Sequence, residues 1–79
     1  MKVKINLYAT LNRYLPDHVR DSDHMIEVSE GITITELLQQ LNIPTDKVKL
    51  IFLNGVHASG DAVLEEGGRV GVFPPVGGG

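Results

Sequence analysis

Val3, Ile5 and Leu7 alternate with Lys2, Lys4, Asn6 and Tyr8. A period of two puts successive side chains on opposite faces, so the segment is predicted to be a strand with one buried face. Leu11, Tyr14 and Leu15 then follow helical spacing behind Thr10, a candidate N-cap, and Pro16 is expected to end that short helix. The polar stretch from Asp17 to Asp23 reads as a loop. Ile26 and Val28 alternate with Glu27 and Ser29, which predicts a second strand.

The strongest local signal lies further on. Thr33 and Glu36 have the T-x-x-E spacing of a capping box, in which each side chain satisfies an orphan amide of the first helical turn. Ile32 and Leu37 stand where a hydrophobic staple would. Ile34, Leu37, Leu38 and Leu41 share one helical face, with Gln39 and Gln40 pointing away. Ile43-Pro44 is expected to stop this helix, because the residue before a proline avoids the helical region. Leu50-Ile51-Phe52-Leu53 is an unbroken apolar run followed by Asn54-Gly55, the preferred pair for a tight hairpin. It predicts a well-buried strand, with Val56 beginning the return. Gly60-Asp61 and Gly67-Gly68 are further turns, and Val63 and Leu64 between them are expected to plug the core. Arg69 to Phe73 is the last predicted strand, with Val70 and Val72 facing inward. Pro74-Pro75 ends it, since neither residue has an amide to give a ladder.

The order is strand, short helix, strand, helix, strand, short return, strand. One helix across a mixed sheet is the simplest way to bury both apolar faces. With 79 residues, one domain is expected. A chain of this size buries only about 60–65% of its unfolded surface, which leaves little room for a deep catalytic cavity. Seven Lys and Arg against ten Asp and Glu give a net charge of −3, and the basic residues are scattered, so nucleic acid is not expected as a partner. A weakly acidic surface would suit a basic partner. The absence of cysteine excludes disulfides, thiolate metal sites and cysteine catalysis. No apolar stretch reaches membrane-spanning length. The first residues enter a strand pattern at once, so no signal peptide is read and a cytoplasmic location is the default.

The sequence closes with Phe73-Pro74-Pro75-Val76-Gly77-Gly78-Gly79. Three glycines could lie extended in a slot too narrow for other residues, and five residues from Pro75 onward span at most roughly 17 Å. The expected organisation is a domain over 1–76 and a flexible tail over 77–79, offering the carboxylate of Gly79 to another protein.

These features together resemble the ubiquitin-like sulfur carriers of the MoaD/ThiS family: the opening strand, the T-x-x-E-L-L helix, the apolar strand with N-G after it, and the closing F-P-P-V-G-G-G. The resemblance spans essentially the whole chain, and the terminal motif directly after the last strand is its specific part. It implies an α+β, ubiquitin-like β-grasp fold with sheet order 2-1-5-3. It also implies activation of the C-terminal glycine as an acyl-adenylate by an ATP-using, E1-like adenylating enzyme, and then conversion to a thiocarboxylate. Phe73-Pro74-Pro75-Val76 is similar to the molybdopterin branch, in which the carrier is the small subunit of molybdopterin synthase. In that branch the tail enters the large subunit to deliver sulfur. In the thiamine branch the sulfur goes to thiazole formation. By residue, the resemblance puts the thiocarboxylate on Gly79 with Gly78 beside it. Phe73, Pro74, Pro75, Val76 and Gly77 are the partner-binding stretch. Gly77 falls where the family often has alanine or serine, and Gly67-Gly68 replaces a usual G-D turn.

The residues agree with a carrier role. A free carboxylate is a poor electrophile, so sulfur can reach it only after a leaving group is installed. The chain has neither a P-loop nor G-x-G-x-x-G and no thiol, so no cofactor is expected on it. ATP would bind the activating partner, and a sulfur donor system would supply the sulfur. Bound tail would be held mostly by main-chain hydrogen bonds, and the two prolines would stiffen its exit. Phe73 reads equally as a partner-facing anchor or as a core residue.

Other candidates are weaker. His18, His24 and His57 lack ligand spacing, so no metal site is expected and all three read as surface or loop residues. Glu65-Glu66 reads as a solvated turn, because adjacent extended residues point apart. Asp17, Asp21 and Asp23 lack the glycine and distal glutamate of a calcium loop. Ser22, Ser29 and Ser59 lack a nucleophile elbow. A ubiquitin-like protein modifier, or a plain β-grasp interaction domain with an inert glycine end, would share most of this pattern.

Overall fold

The computed structural model describes residues 1–75; Val76 to Gly79, and with them the expected boundary between residues 76 and 77, lie outside the described residues. Five strands form one mixed sheet: β1 (Lys2–Leu7), β2 (Met25–Glu27), β3 (Leu50–Leu53), β4 (Val56–His57) and β5 (Arg69–Phe73). Their order is β2-β1-β5-β3-β4. The two central strands, β1 and β5, run parallel, with Ile5 beside Val70 and Leu7 beside Val72. This is the expected 2-1-5-3 order, extended at one edge by the two-residue return β4.

The alternation in β1 does what its period dictates: Val3, Ile5 and Leu7 are buried, as are Val70 and Val72 of β5. Against this face lies the main helix α2 (Ile34–Gln40), which buries Ile34, Leu37 and Leu38. Its N-terminus is the predicted capping box. Thr33 Oγ1 accepts from the amide of Glu36 at 3.2 Å, and the Glu36 carboxylate accepts from the amide of Thr33 at 2.9 Å. Ile32, the expected staple residue, is buried with Leu37.

The helix ends for a different reason than predicted. Asn42, not Pro44, terminates it. Asn42 has φ +63, its amide bonds the carbonyl of Gln39 at 3.0 Å, and the amide of Ile43 bonds that of Leu38 at 3.0 Å. These two bonds around a left-handed residue make a Schellman motif, and the buried pair Ile43 and Leu38 supplies its hydrophobic contact.

Several expectations need correction. The segment after β1 is a 3₁₀-helix, Ala9–Tyr14, capped by Tyr8, so Thr10 sits inside it and caps nothing. The expected loop from Asp17 to Asp23 contains a one-turn helix α1 (Asp17–Arg20), which buries Val19 completely. A single apolar residue among charges has no periodicity, so its core role was illegible. Val28 is buried but lies just beyond β2. Leu64 fills the core, whereas Val63 is 54% exposed. The run Leu50–Leu53 is not a fully buried strand. Ile51 and Leu53 pack on the core, while Leu50 is exposed and Phe52 is half-buried on the opposite face. The hairpin after it is as predicted: Asn54 (φ +53) and Gly55 (φ +83) both take the left-handed region a type I′ turn requires.

Candidate functional site

Among the described residues nothing covers the sheet face turned away from α2, and β5, the last strand, lies in its middle. Three side chains of β5 alternate onto this face: Arg69, Gly71 and Phe73. Register adds Lys4 and Asn6 from β1 beside Arg69 and Gly71. From the other side it adds Leu50 and Phe52, opposite Phe73 and Gly71. His57 of β4 stands opposite Phe52.

These positions build an aromatic platform. The rings of Tyr8 and Phe73 stack with centroids 4.3 Å apart and planes 6° from parallel. Phe52 meets Phe73 edge to face at 5.7 Å, and His57 meets Phe52 in the same manner at 5.8 Å. A Cβ at position 71 would lie 3.4 Å from Cε2 of Tyr8, in ordinary contact with the ring. The missing side chain also leaves a notch of about 330 Å³, floored by Gly71, walled by Tyr8, Phe52 and Phe73, and edged by Asn6 and Arg69.

Phe73 therefore belongs to this open face and not to the main core. Its carbonyl accepts the amide of Lys49 at 2.8 Å, a last bond to the chain entering β3. Pro74 and Pro75 follow, both half-buried, and neither can donate to a neighbour. The ladder stops where the partner-binding stretch was expected to begin. Val76, Gly77, Gly78 and Gly79 lie outside the described residues.

The far end of β5 is pinned as well. The amide of Arg69 donates to Oδ1 of Asn54 at 2.9 Å, and the amide of Asn54 donates to the carbonyl of Arg69 at 2.8 Å. The hairpin residue that sets the turn thus also fixes the start of the last strand.

The remaining candidates are not brought together. Among the described residues, no group of three or more His, Asp or Glu side chains could hold a metal ion. His18 and His57 are exposed, but His24 is partly buried, with Nδ1 3.3 Å from the carbonyl of Ile5. Of Glu65-Glu66, the Glu66 carboxylate accepts the amide of Lys2 at 3.2 Å, and the Glu65 carbonyl accepts the amide of Gly68 at 2.9 Å in the turn. Among the described residues no helix is long and apolar enough to cross a membrane.

Tyr8, Phe52 and Gly71 were not singled out from the sequence. The signal was present for Tyr8, which alternates with the polar side of β1. Phe52 was hidden inside an apolar run that looks buried throughout.

A family model matches residues 9–79, and its family is ThiS. The chain belongs to the ThiS family. It stands, accordingly, among the ubiquitin-like sulfur carriers and modifiers. Solved structures agree on the fold. The putative molybdopterin converting factor subunit 1 from Pyrococcus furiosus is 26% identical, with a TM-score of 0.68, over 96% of this chain and 99% of that one. The HVO 2177 protein of Haloferax volcanii is 21% identical, with a TM-score of 0.70, over 100% of this chain and 87% of the other. Small archaeal modifier protein 1 of Haloferax volcanii is 17% identical, with a TM-score of 0.67, over 95% and 98%. No curated protein matches this chain.

Proposed function

We propose that this chain carries sulfur as a thiocarboxylate on Gly79 and donates it in molybdopterin synthesis as the small subunit of a two-part synthase. Membership of the ThiS family over residues 9–79 carries this reading. The likeness to a putative molybdopterin converting factor subunit and the Phe73-Pro74-Pro75 exit from β5 favour the molybdopterin branch over a thiamine-type role.

A carboxylate oxygen of Gly79 attacks the α-phosphorus of ATP held by an E1-like enzyme, and pyrophosphate leaves. A hydrosulfide equivalent from a donor system attacks the resulting acyl carbon, the acyl–phosphate bond breaks, AMP leaves and the thiocarboxylate remains. The thiocarboxylate sulfur then attacks an acceptor carbon in the large subunit and displaces an oxygen leaving group from it, and water cleaves the resulting thioester, returning the Gly79 carboxylate and leaving the sulfur on the product as a thiol. This chain contributes the electrophilic carbon and then the nucleophilic sulfur. Gly77 and Gly78 give access. Pro74 and Pro75 limit the freedom that must be lost when the segment is bound, and the platform at Phe73 gives the partner a firm surface beside it.

Reconstitution with the large subunit tests the reading. The sulfur-charged chain is expected to yield molybdopterin, and a form lacking Gly78 and Gly79 is expected to yield none. Equal product from both would overturn it. The same activation would serve protein conjugation, and the likeness in fold to a small archaeal modifier protein makes that the second reading. It predicts conjugate ladders on other proteins that vanish when Gly79 is deleted.

A further inference from the structure

Asn54-Gly55 serves the fold as a hairpin turn, and the pair has a second chemistry that the turn does not use. The side-chain amide of an asparagine is open to attack by the backbone nitrogen of the next residue, and a glycine offers that nitrogen without a side chain in the way. Of Asn6, Asn12, Asn42 and Asn54, only Asn54 precedes a glycine. Both residues of the pair are exposed, and a Cβ built on Gly55 would meet nothing within 4 Å.

The closed turn holds this chemistry off. Attack on Cγ of Asn54 closes a succinimide ring, so the Gly55 nitrogen must swing to the same side of the Asn54 Cα–C bond as Cβ. Asn54 has φ +53, and in the left-handed region ψ is about +30 to +60°, which sets that nitrogen nearly opposite Cβ. The side chain is also tied. Its Oδ1 accepts the amide of Arg69 at 2.9 Å, and the amide of Asn54 donates to the carbonyl of Arg69 at 2.8 Å. Both bonds must break before the backbone and side chain can turn. The hairpin is well placed to open, because β4 is held to β3 only by the pairs Phe52–His57 and Leu53–Val56, and Val56 and His57 are exposed. Segments with so few buried contacts open at far lower free energy than the whole fold.

From this geometry we infer that Asn54 is a guarded deamidation site, protected while the hairpin is closed and cyclised when β4 opens. In the open state the Gly55 nitrogen, its proton lost to solvent base, attacks Cγ. The Cγ–Nδ2 bond breaks, and Nδ2 takes up a proton and leaves as ammonia. Water then adds to one of the two imide carbonyls and breaks its bond to nitrogen. Hydrolysis at Cγ leaves aspartate at position 54. Hydrolysis at the main-chain carbonyl leaves isoaspartate, in which the chain runs through Cβ and Cγ. The fold treats the two products differently. Aspartate tolerates the left-handed region and keeps an oxygen for the Arg69 amide, now charged and beside a cation. Isoaspartate adds one main-chain atom to a two-residue turn whose length sets the register of Leu53 with Val56.

The test holds the full chain in mildly alkaline buffer, with and without urea above the unfolding transition, and follows the mass gain that exchanges NH₂ for OH. The gain is expected to form on the order of tenfold or more slowly in buffer than in urea. It should vanish in Asn54→Gln, whose longer side chain cyclises far less readily. Two further variants tell local from global opening. Val56→Gly loosens β4 and should raise the rate in buffer severalfold, whereas Thr33→Ala weakens a distant helix cap and should leave it unchanged. Asn54→Asp is expected to keep the wild-type urea midpoint. The isoaspartyl product, separated by chromatography and identified by enzymatic methylation of its carboxylate, should unfold at lower urea. Equal rates in buffer and urea overturn the inference, as does the absence of a mass gain in urea or its persistence in Asn54→Gln. So does a rate in buffer that responds to Thr33→Ala and not to Val56→Gly, an Asn54→Asp chain that unfolds early, or an isoaspartyl chain with the wild-type midpoint.

Discussion

Tyr8 and Phe73 lie face to face across the sheet, 4.3 Å between ring centres, although 64 residues separate them in sequence. Tyr8 follows the first strand and Phe73 closes the last. Their stack ties the start of the fold to the point where the chain turns toward its glycines. Aromatic pairs contribute about 0.5–1.5 kcal/mol beyond their buried area. A double-mutant cycle with Tyr8→Ala and Phe73→Leu, read by urea unfolding, is expected to return a coupling energy in that range. Strict additivity would mean that the rings merely neighbour each other.

The capping box should matter to stability and not to chemistry. Thr33→Ala removes the acceptor for the Glu36 amide and is expected to cost about 0.5–2 kcal/mol. Glu36→Ala in the same background should cost less than it does alone, because the two bonds are reciprocal. Activation of the carrier, followed at a temperature where both forms are folded, should be unchanged.

Asn42 separates backbone strain from side-chain loss. At φ +63 any residue with a Cβ other than Asn or Asp is strained, at roughly 1–2 kcal/mol. Asn42→Ala should therefore destabilise by about 1 kcal/mol, whereas Asn42→Gly should be neutral or slightly stabilising. Thermal unfolding of the pair decides it; equal losses would show that the amide side chain, and not the backbone, is what the position needs.

Gly60 is packed against the first turn of α2. A Cβ there would collide with Oγ1 of Thr35, and the Gly60 carbonyl accepts the Thr35 amide at 2.8 Å. Gly60→Ala is expected to cost about 1–3 kcal/mol by overpacking. Adding Thr35→Ala should recover most of it, since the obstructing hydroxyl is then gone. An uncorrected loss in the double variant would point to the backbone instead.

The parts of this fold that were legible in sequence are those with a period or a fixed chemical pair. Val3, Ile5 and Leu7 declared their face by alternation. Thr33 and Glu36 declared a helix start by their spacing, and Asn54-Gly55 declared the hairpin. The parts that were not legible depend on neighbours distant in sequence. Val19 is buried because β2 returns past it, not because of any local pattern. Phe52 faces out because β3 is paired with β5 in a register that puts it opposite Gly71. The candidate site shows the same division. The terminal motif could be read directly, but the platform beside it is assembled from β1, β3 and β5. The same holds for charge: scattered cations become neighbours only when Lys4 and Arg69 are brought into register.

The glycine end makes its own prediction. If Gly79 carries the sulfur as proposed, one residue added after it would displace the carboxylate that reacts, and Gly78→Ala would place a methyl group beside it. Displacement of a reacting group by about 1 Å can cost on the order of a hundredfold in rate. Both changes should suppress sulfur transfer while leaving the urea midpoint at the wild-type value.

Intact mass spectrometry addresses the central claim most directly. The chain is incubated with its adenylating enzyme, ATP and a sulfur source, beside a known carrier as positive control. A mass gain equal to the exchange of one oxygen for sulfur, mapped to the peptide ending in Gly79 and absent without ATP, is the predicted result. An unchanged mass while the control carrier is fully converted would contradict the account.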